Sequence, residues 1–197
     1  QCTIIEFGGI EANPDYDTLM RAISLGKSEK IDFILAVGGG SIIDGTKFIA
    51  AGINYDGDPW EFVAGKAKVP AALPFGTVLT LPATGSEMNC GAVISRRATQ
   101  EKYPFNNPEG FPQFSVLDPT AVYSLPQRQV ANGIIDTFIH TTEQYLTTAG
   151  SPKVMDRFAE GVLRTLIDIA PRILAEGDRK YADCADFMMA ATMGLNG

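Results

Sequence analysis

Over the first two thirds of the chain, short apolar runs alternate with segments in which apolar residues recur at helical spacing. Ile31–Val37 is almost continuously apolar, which favours a strand covered on both faces. Tyr16–Leu25 and Ile42–Ala51 have the helical period, and Asn13 precedes Pro14 where a helix cap would stand. Further strands are predicted at Thr3–Phe7, Thr77–Leu81, Ala92–Ser95 and Ser115–Leu117. This alternation predicts βαβ units with a mostly parallel sheet, and therefore an α/β fold.

The pattern changes after Pro126. Three long helical patterns follow with no strand between them, at Gln127–Leu146, Pro152–Leu174 and Tyr181–Leu195. We therefore predict an α/β domain over residues 1–125 and the beginning of an all-helical domain over residues 126–197. The proline-rich segment Lys102–Gln113 is predicted to be an ordered loop.

The two ends of the chain predict a fragment of a longer protein. Gln1 stands where a methionine would be expected, and the chain runs at once into the first predicted strand. At the other end, Gly197 comes just after an apolar helical pattern. We expect both domains to be truncated.

Composition narrows the class of protein. The net charge of −7 disfavours nucleic acid as a partner, because a protein that binds phosphate backbones needs a basic face. No apolar run is long enough to span a membrane, and no basic n-region is followed by an apolar h-region. Cys2, Cys90 and Cys184 are odd in number and far apart, which is typical of reduced cysteines in a cytoplasmic protein.

A glycine-rich turn joins a predicted strand to a predicted helix. It reads Gly38-Gly39-Gly40-Ser41, and such a turn lets backbone N–H groups approach a phosphate at a helix N-terminus. The spacing matches neither the usual dinucleotide motif nor a Walker A loop. A tight turn needed only for chain reversal explains the glycines equally well. Asp44 follows in the first helical turn, where a cap or helix-dipole role is common.

A second polar loop follows the strand Thr77–Leu81. The segment Thr80–Asn89 contains Thr84, Gly85, Ser86 and Glu87, and ligands often bind at the carboxyl ends of parallel strands. The hydroxyl groups could donate to a phosphate or a ribose. The alternative is that Ser86 simply caps a short helix over residues 87–89.

Asp136 and the single histidine of the chain, His140, are spaced i, i+4 and project from one helix face. One oxygen and one nitrogen ligand suit a divalent cation. Glu143 shares that face, but catalytic metals usually take three protein ligands, and no second histidine is available. A plain Asp–His helix pair is the alternative.

Three segments, in one order along the chain, carry a resemblance to a known family. They read GGGSIIDGTKFIA, LTLPATGSEMN and LPQRQVANGIIDTFIHTTEQY. Together they resemble the iron-containing (group III) alcohol dehydrogenase family. The longer match, from EFGGIEANP to DRFAEGVLRTLI, looks like its NADPH-dependent butanol dehydrogenase/aldehyde reductase branch. The likeness covers essentially the whole chain and about half of a typical family member.

The resemblance implies a Rossmann-like dinucleotide-binding domain followed by the start of a metal-binding domain. It places the cofactor pyrophosphate at the glycine turn, the nicotinamide side near Asp44, and the ribose near Lys102. It makes Asp136 and His140 the first two of four metal ligands, the other two being histidines that this chain lacks. The cofactor-binding residues that it implies in these segments are Gly38, Gly39, Gly40, Ser41, Asp44, Thr80, Thr84, Ser86, Asn89 and Lys102.

The segment Phe7-Gly8-Gly9-Ile10 bears on the choice of cofactor. Members of the family that prefer NAD have an aspartate at the matching position, whereas glycine leaves room for a 2′-phosphate. Gly8 and Gly9 are thus added to the cofactor-binding residues, and NADP(H) is predicted. A tight turn is the alternative.

The resemblance implies a homodimeric enzyme that transfers hydride between NADP(H) and a small alcohol or aldehyde, such as butanol or butanal, with Fe2+ or Zn2+. A polyol (glycerol) dehydrogenase or a dehydroquinate-synthase-like lyase on the same scaffold is the alternative enzyme. A catalytically incomplete nucleotide-binding fragment is the non-enzymatic alternative. Phe105 and Phe111 could line an apolar substrate pocket or pack within their own domain.

Overall fold

The computed structural model describes residues 2–147, 150 and 152–196. The helices are α1 Tyr16–Glu29, α2 Gly40–Ile53, α3 Trp60–Val63, α4 Gln127–Thr147, α5 Lys153–Ile173 and α6 Tyr181–Asn196. The strands are β1 Ile34–Gly39, β2 Phe75–Leu81, β3 Gly91–Arg96, β4 Glu101–Asn106 and β5 Ser115–Leu117. Among the described residues, no helix combines the length and the apolar character needed to cross a bilayer.

A three-stranded sheet has the order β1–β2–β5, and β2 pairs with β5 in parallel, with Thr77 opposite Ser115. This arrangement confirms the predicted α/β class. The strands predicted around Thr77–Leu81, Ala92–Ser95 and Ser115–Leu117 are confirmed. The predicted strand Ile31–Val37 forms further along the chain, because β1 begins at Ile34 and includes Gly38 and Gly39.

Two predictions near the N-terminus are wrong. The segment Thr3–Phe7 forms no strand; it pairs with no strand of the described residues, and Ile4 is 82% exposed. A strand needs a neighbour to satisfy its backbone groups, and apolar composition alone does not supply one. The cap of α1 is Asp15, whose carboxylate accepts from the N–H of Asp17, whereas Asn13 has a φ of 56°.

The segment Lys102–Gln113 is only partly a loop, because residues up to Asn106 belong to β4. β4 pairs antiparallel with β3, with Ala92 opposite Phe105 and Val93 opposite Pro104. The sequence prediction failed there because Pro104 suggests a loop, although proline is tolerated in an edge strand. The burial of the Phe105 side chain outweighs the cost of the proline.

The chain forms two compact units. The first comprises residues 1–36, 41–76 and 90–114. Its core is built by α1, α2, α3 and the β3–β4 hairpin around Phe48, Phe62 and Phe105. The ring of Phe105 lies 5.5 Å from that of Phe62 and 6.4 Å from that of Phe48. Phe105 therefore packs within its own unit, whereas Phe111 is 47% exposed.

The second unit comprises residues 37–40, 77–89 and 115–197. Its three long helices, α4, α5 and α6, match the three predicted helical patterns and pack against one another. α5 buries Leu166 and Ile169, and α6 buries Phe187 and Met188. The division of the chain at residue 125 stays a prediction.

An aromatic and ionic cluster closes one side of the first unit's core. The Tyr16 hydroxyl donates to Asp58 Oδ1 at 2.6 Å, and the Arg96 guanidinium lies 4.6 Å from the centre of the Tyr16 ring. Burial of the ring and the neighbouring Asp58 carboxylate raise the pKa of Tyr16 to about 12. The neutral phenol is therefore favoured in the folded state more than in the unfolded chain.

We predict a matching loss of stability at high pH. Because the folded-state pKa is raised above its ordinary value of 10.0, the contribution of Tyr16 is complete below pH 10 and declines as the pH approaches 12. The difference in unfolding free energy between wild type and Tyr16→Phe should shrink over that range in urea titrations. A constant difference from pH 9 to pH 12 would contradict the assignment.

Candidate functional site

The polar loop after β2 begins with Pro82 and ends at Asn89. Gly85 adopts a left-handed φ of 60°, and a 3-10 turn follows over Ser86–Met88. The N–H of Ser86 donates to Thr84 Oγ1 at 3.3 Å. Ser86 is thus the first residue of the turn, and the cap position belongs to Gly85. Thr80 precedes the loop within β2.

The glycine turn packs directly against this loop. Gly38 and Gly39 end β1, and Gly40 begins α2. A Cβ atom on Gly40 would lie 2.3 Å from Thr84 Oγ1, a separation that two non-bonded atoms cannot have. Gly40 is therefore required for close packing, whatever ligand the turn binds. The two segments predicted to bind the cofactor are neighbours in one unit.

Three further predicted site residues lie in the first unit. Lys102 Nζ donates to Asn13 Oδ1 at 2.7 Å, and the N–H of Asn13 donates to Ser41 Oγ at 3.3 Å. Asn13 therefore links the predicted ribose lysine to the serine of the glycine turn, a role the sequence analysis missed. Asp44 Oδ2 accepts from the N–H of Val93 at 2.9 Å and so joins α2 to β3.

Gly8 and Gly9 lie before α1 in a segment without regular secondary structure, and both are exposed. A Cβ atom on either residue would meet nothing within 4 Å. Gly9 has a φ of 82°, which favours glycine on conformational grounds, whereas Gly8 has no such restriction. A side chain at position 8 is thus compatible with the fold, and glycine there leaves open space.

The predicted metal ligands lie on one face of α4. His140 Nε2 and Asp136 Oδ1 are 3.7 Å apart, which is too long for a hydrogen bond. Two atoms that each lie about 2.0–2.2 Å from a common ion are at most about 4.4 Å apart, so this separation fits a shared metal. His140 Nδ1 is buried and has no hydrogen-bond partner among the described residues.

The described residues bring together two candidate metal ligands. Within the described residues, no group of three or more histidine, cysteine, aspartate or glutamate side chains could hold a metal ion. Glu143, which shares the helix face in the sequence pattern, is exposed and does not complete such a group.

The helix that carries the pair is fixed against the polar loop. A Cβ atom on Gly133 would lie 2.4 Å from the carbonyl oxygen of Pro82. One turn later, the buried hydroxyl of Thr137 contacts the carbonyl oxygens of Gly133 and Ala83, at 2.8 Å and 3.4 Å. The sequence analysis missed both contacts. They set Asp136 and His140 at a defined position relative to Thr84, within the second unit.

Comparison with known proteins identifies the family. The sequence profile described as "Iron-containing alcohol dehydrogenase" matches residues 1–119. The chain belongs to the iron-containing alcohol dehydrogenase family. This confirms the resemblance on which the site residues were predicted.

Several curated relatives are similar over almost the whole chain. The NADPH-dependent aldehyde reductase YqhD of Escherichia coli is 54% identical in an alignment that covers 98% of this chain and 51% of that protein. The NADP-dependent alcohol dehydrogenase 3 of Entamoeba histolytica is 48% identical over 98% of this chain and 51% of that protein. The probable NADH-dependent butanol dehydrogenase 1 of Bacillus subtilis is 44% identical over 99% of this chain and 50% of that protein. The chain thus spans about half the length of these relatives.

Solved structures confirm the Rossmann-like α/β fold followed by helices. The crystal structure of E. coli YqhD superposes with a TM-score of 0.93 at 54% identity, covering 98% of this chain and 50% of that chain. The NADH-dependent butanol dehydrogenase A of Thermotoga maritima superposes with a TM-score of 0.93 at 37% identity, covering 98% and 48%.

The packing of Gly40 against Thr84 predicts a coupled pair of substitutions. Gly40→Ala should lower the unfolding free energy by about 1–3 kcal/mol, because the added methyl group overlaps the Thr84 side chain. Thr84→Ala introduced into the Gly40→Ala background should restore part of the loss. Urea unfolding of the single and double variants measures this coupling.

Gly161→Ala is the matched control, since Gly161 lies within α5 and its added Cβ would meet nothing within 4 Å. It should stabilise the chain by about 0.5–1 kcal/mol. Equal effects of the two glycine substitutions, or no recovery in the double variant, would show that Gly40 is not held by Thr84.

Proposed function

We propose that the protein is a metal-dependent alcohol dehydrogenase/aldehyde reductase that transfers a hydride between NADP(H) and a small alcohol or aldehyde. The observation that carries the proposal is the Asp136–His140 pair, with a 3.7 Å separation that is too long for a hydrogen bond and suits a common metal. The relatives named as aldehyde reductases and alcohol dehydrogenases support the same reaction class.

The metal is proposed to be Fe2+ or Zn2+, held by Asp136 Oδ1 and His140 Nε2 together with ligands from outside the described residues. A divalent ion supplies Lewis-acid polarisation of a carbonyl oxygen. With that chemistry supplied, neither Asp136 nor His140 has to transfer a proton.

The cofactor is proposed to bind through the residues predicted from the sequence. Gly38, Gly39 and Gly40 would face the pyrophosphate at the start of α2, where free backbone N–H groups and the helix dipole favour an anion. Among the remaining residues, Asn89 and Lys102 are already oriented by hydrogen bonds. Ser41, Asp44, Thr80, Thr84 and Ser86 complete the proposed set with Gly8 and Gly9.

NADP(H) rather than NAD(H) is proposed on the open space at Gly8 and Gly9, which leaves room for a 2′-phosphate. The relatives include proteins named for each cofactor, so family membership by itself does not decide the choice. Butanol and butanal are proposed as substrates from the butanol dehydrogenase relatives. A homodimer in the cytoplasm is proposed as the working form.

Substitution of the metal pair tests the reaction class. In the complete gene product, Asp136→Ala and His140→Ala should each lower kcat/KM for NADPH-dependent reduction of butanal by about 100-fold or more, because Lewis-acid catalysis contributes several kcal/mol. The amount of metal bound per protein, measured by mass spectrometry, should fall together with the activity. Asp168→Ala, an exposed aspartate on α5, is the control and should retain both.

Full activity in either pair variant would disprove the proposal. NADPH binding without turnover under any added metal would instead favour a nucleotide-binding protein. Turnover of glycerol with NAD, or a product formed without net redox change, would favour the polyol dehydrogenase or the lyase on the same scaffold.

A charge at position 8 tests the cofactor choice. Gly8→Asp should weaken NADPH binding by about tenfold or more relative to NADH, because a carboxylate repels the 2′-phosphate. Gly8→Asn is the neutral control of the same size. Isothermal titration calorimetry with both cofactors gives the ratio of their Kd values. An equal change in this ratio for aspartate and for asparagine would rule out a phosphate near Gly8.

A further inference from the structure

The last turns of α6 are hydrogen-bonded to the 3-10 turn of the polar loop. Thr192 Oγ1 donates to Glu87 Oε1 at 2.6 Å, and each of the two residues is only 3% exposed. The second carboxylate oxygen, Glu87 Oε2, is buried and has no partner among the described residues. The Thr192 hydroxyl therefore satisfies one oxygen of a buried carboxyl group, whose burial is costly without a hydrogen bond.

Asn196 makes a second connection four residues later. Its Nδ2 donates to the carbonyl oxygen of Gly85 at 2.8 Å and to that of Thr192 at 2.6 Å. Asn89 Nδ2 also donates to the Gly85 carbonyl, at 3.1 Å, and to Asn196 Oδ1, at 3.2 Å. One amide side chain of α6 thus reaches both ends of the 3-10 turn.

The contact with α6 leaves no room for a side chain at Gly85. A Cβ atom there would lie 2.7 Å from Asn196 Nδ2 and 3.1 Å from the carbonyl oxygen of Thr192. Because Gly85 is also left-handed, its conformation and its packing against α6 are fixed together. The orientation of the adjoining Thr84 and Ser86 depends on this residue.

We propose that Thr192 and Asn196 are positioning residues for pyridine dinucleotide binding. They hold the backbone of residues 85–89, so that Thr84, Ser86 and Asn89 face the cofactor in one fixed arrangement. This inference rests on the proposed function, because it takes that loop to be part of the cofactor site. A pre-ordered loop lowers the entropic cost of binding, so its loss raises Kd and KM for the cofactor and leaves the hydride transfer step unaffected.

The test compares Thr192→Val with Thr192→Ser in the complete gene product. Valine keeps the shape but removes the donor, and should raise the Kd for NADPH, measured by titration calorimetry, by about tenfold. Serine keeps the hydroxyl and should stay within about twofold of wild type. The KM for NADPH should rise in parallel for valine, with kcat at saturating NADPH within about twofold.

Thr165→Val on α5 is the matched control. The hydroxyl groups of Thr192 and Thr165 each donate to the carbonyl oxygen four residues earlier, that of Met188 at 3.1 Å and that of Gly161 at 2.9 Å, but Thr165 lies on another helix. Its Kd should equal that of wild type. Asn196→Asp, which replaces the donor to Gly85 with a carboxylate, should raise the Kd at least as much as Thr192→Val.

Hydrogen–deuterium exchange on the wild type provides a second measurement that needs no substitution. NADPH should slow amide exchange in residues 85–89 and in the last turn of α6 together. A Kd unchanged in both Thr192→Val and Asn196→Asp, or protection confined to the loop, would overturn the positioning role even if the variants melt at lower temperature. If the wild type does not bind NADPH, the proposed function itself is wrong. That outcome differs from failure of the positioning role, in which the wild type binds NADPH and the variants bind it equally well.

Discussion

The segment from Pro82 to Gly85 packs against other parts of the second unit so closely that a Cβ atom would not fit at Gly40, Gly85 or Gly133. The helix start at Gly40 lies against Thr84, and α4 lies against the Pro82 carbonyl at Gly133. α6 lies against Gly85 through Asn196. Each approach depends on a missing Cβ atom, so the spacing of the segments is set by van der Waals contact. The repulsive energy rises steeply when such atoms come closer, so the segments can shift little. The arrangement of the candidate site depends on these contacts.

The same packing fixes the proposed metal ligands on the helix relative to the polar loop. Asp136 and His140 lie within two turns of Gly133, and a helix transmits position along its axis with little bending over so short a distance. Thr137, between them, contacts the Ala83 carbonyl. The two proposed ligands are therefore on the helix that also packs against the loop, and a catalytic site needs supports of this kind.

Local patterns in the sequence were enough to predict β2, β3, β5 and the three long helices, because the spacing of apolar residues reflects burial directly. They failed at Thr3–Phe7, which has no partner strand among the described residues, and at β4, where Pro104 suggested a loop although the partner strand β3 comes just before it in sequence. At the candidate site, the i, i+4 spacing correctly placed Asp136 and His140 side by side on one helix, and their metal role stays a prediction. No local signal marks Asn13 as the link to Lys102, or Thr192 as the partner of Glu87, since these pairs are 89 and 105 residues apart.

The hairpin strand β4 has one buried side chain, that of Phe105, among exposed ones. Phe105 points into the aromatic core of the first unit, whereas Lys102, Pro104 and Asn106 are exposed on the other face. A mutational library meant to change the charge presented to a nucleotide can therefore randomise the exposed positions without disturbing the hydrophobic interior. Because the buried Phe105 holds the strand against the core, differences among such variants would reflect electrostatics rather than refolding.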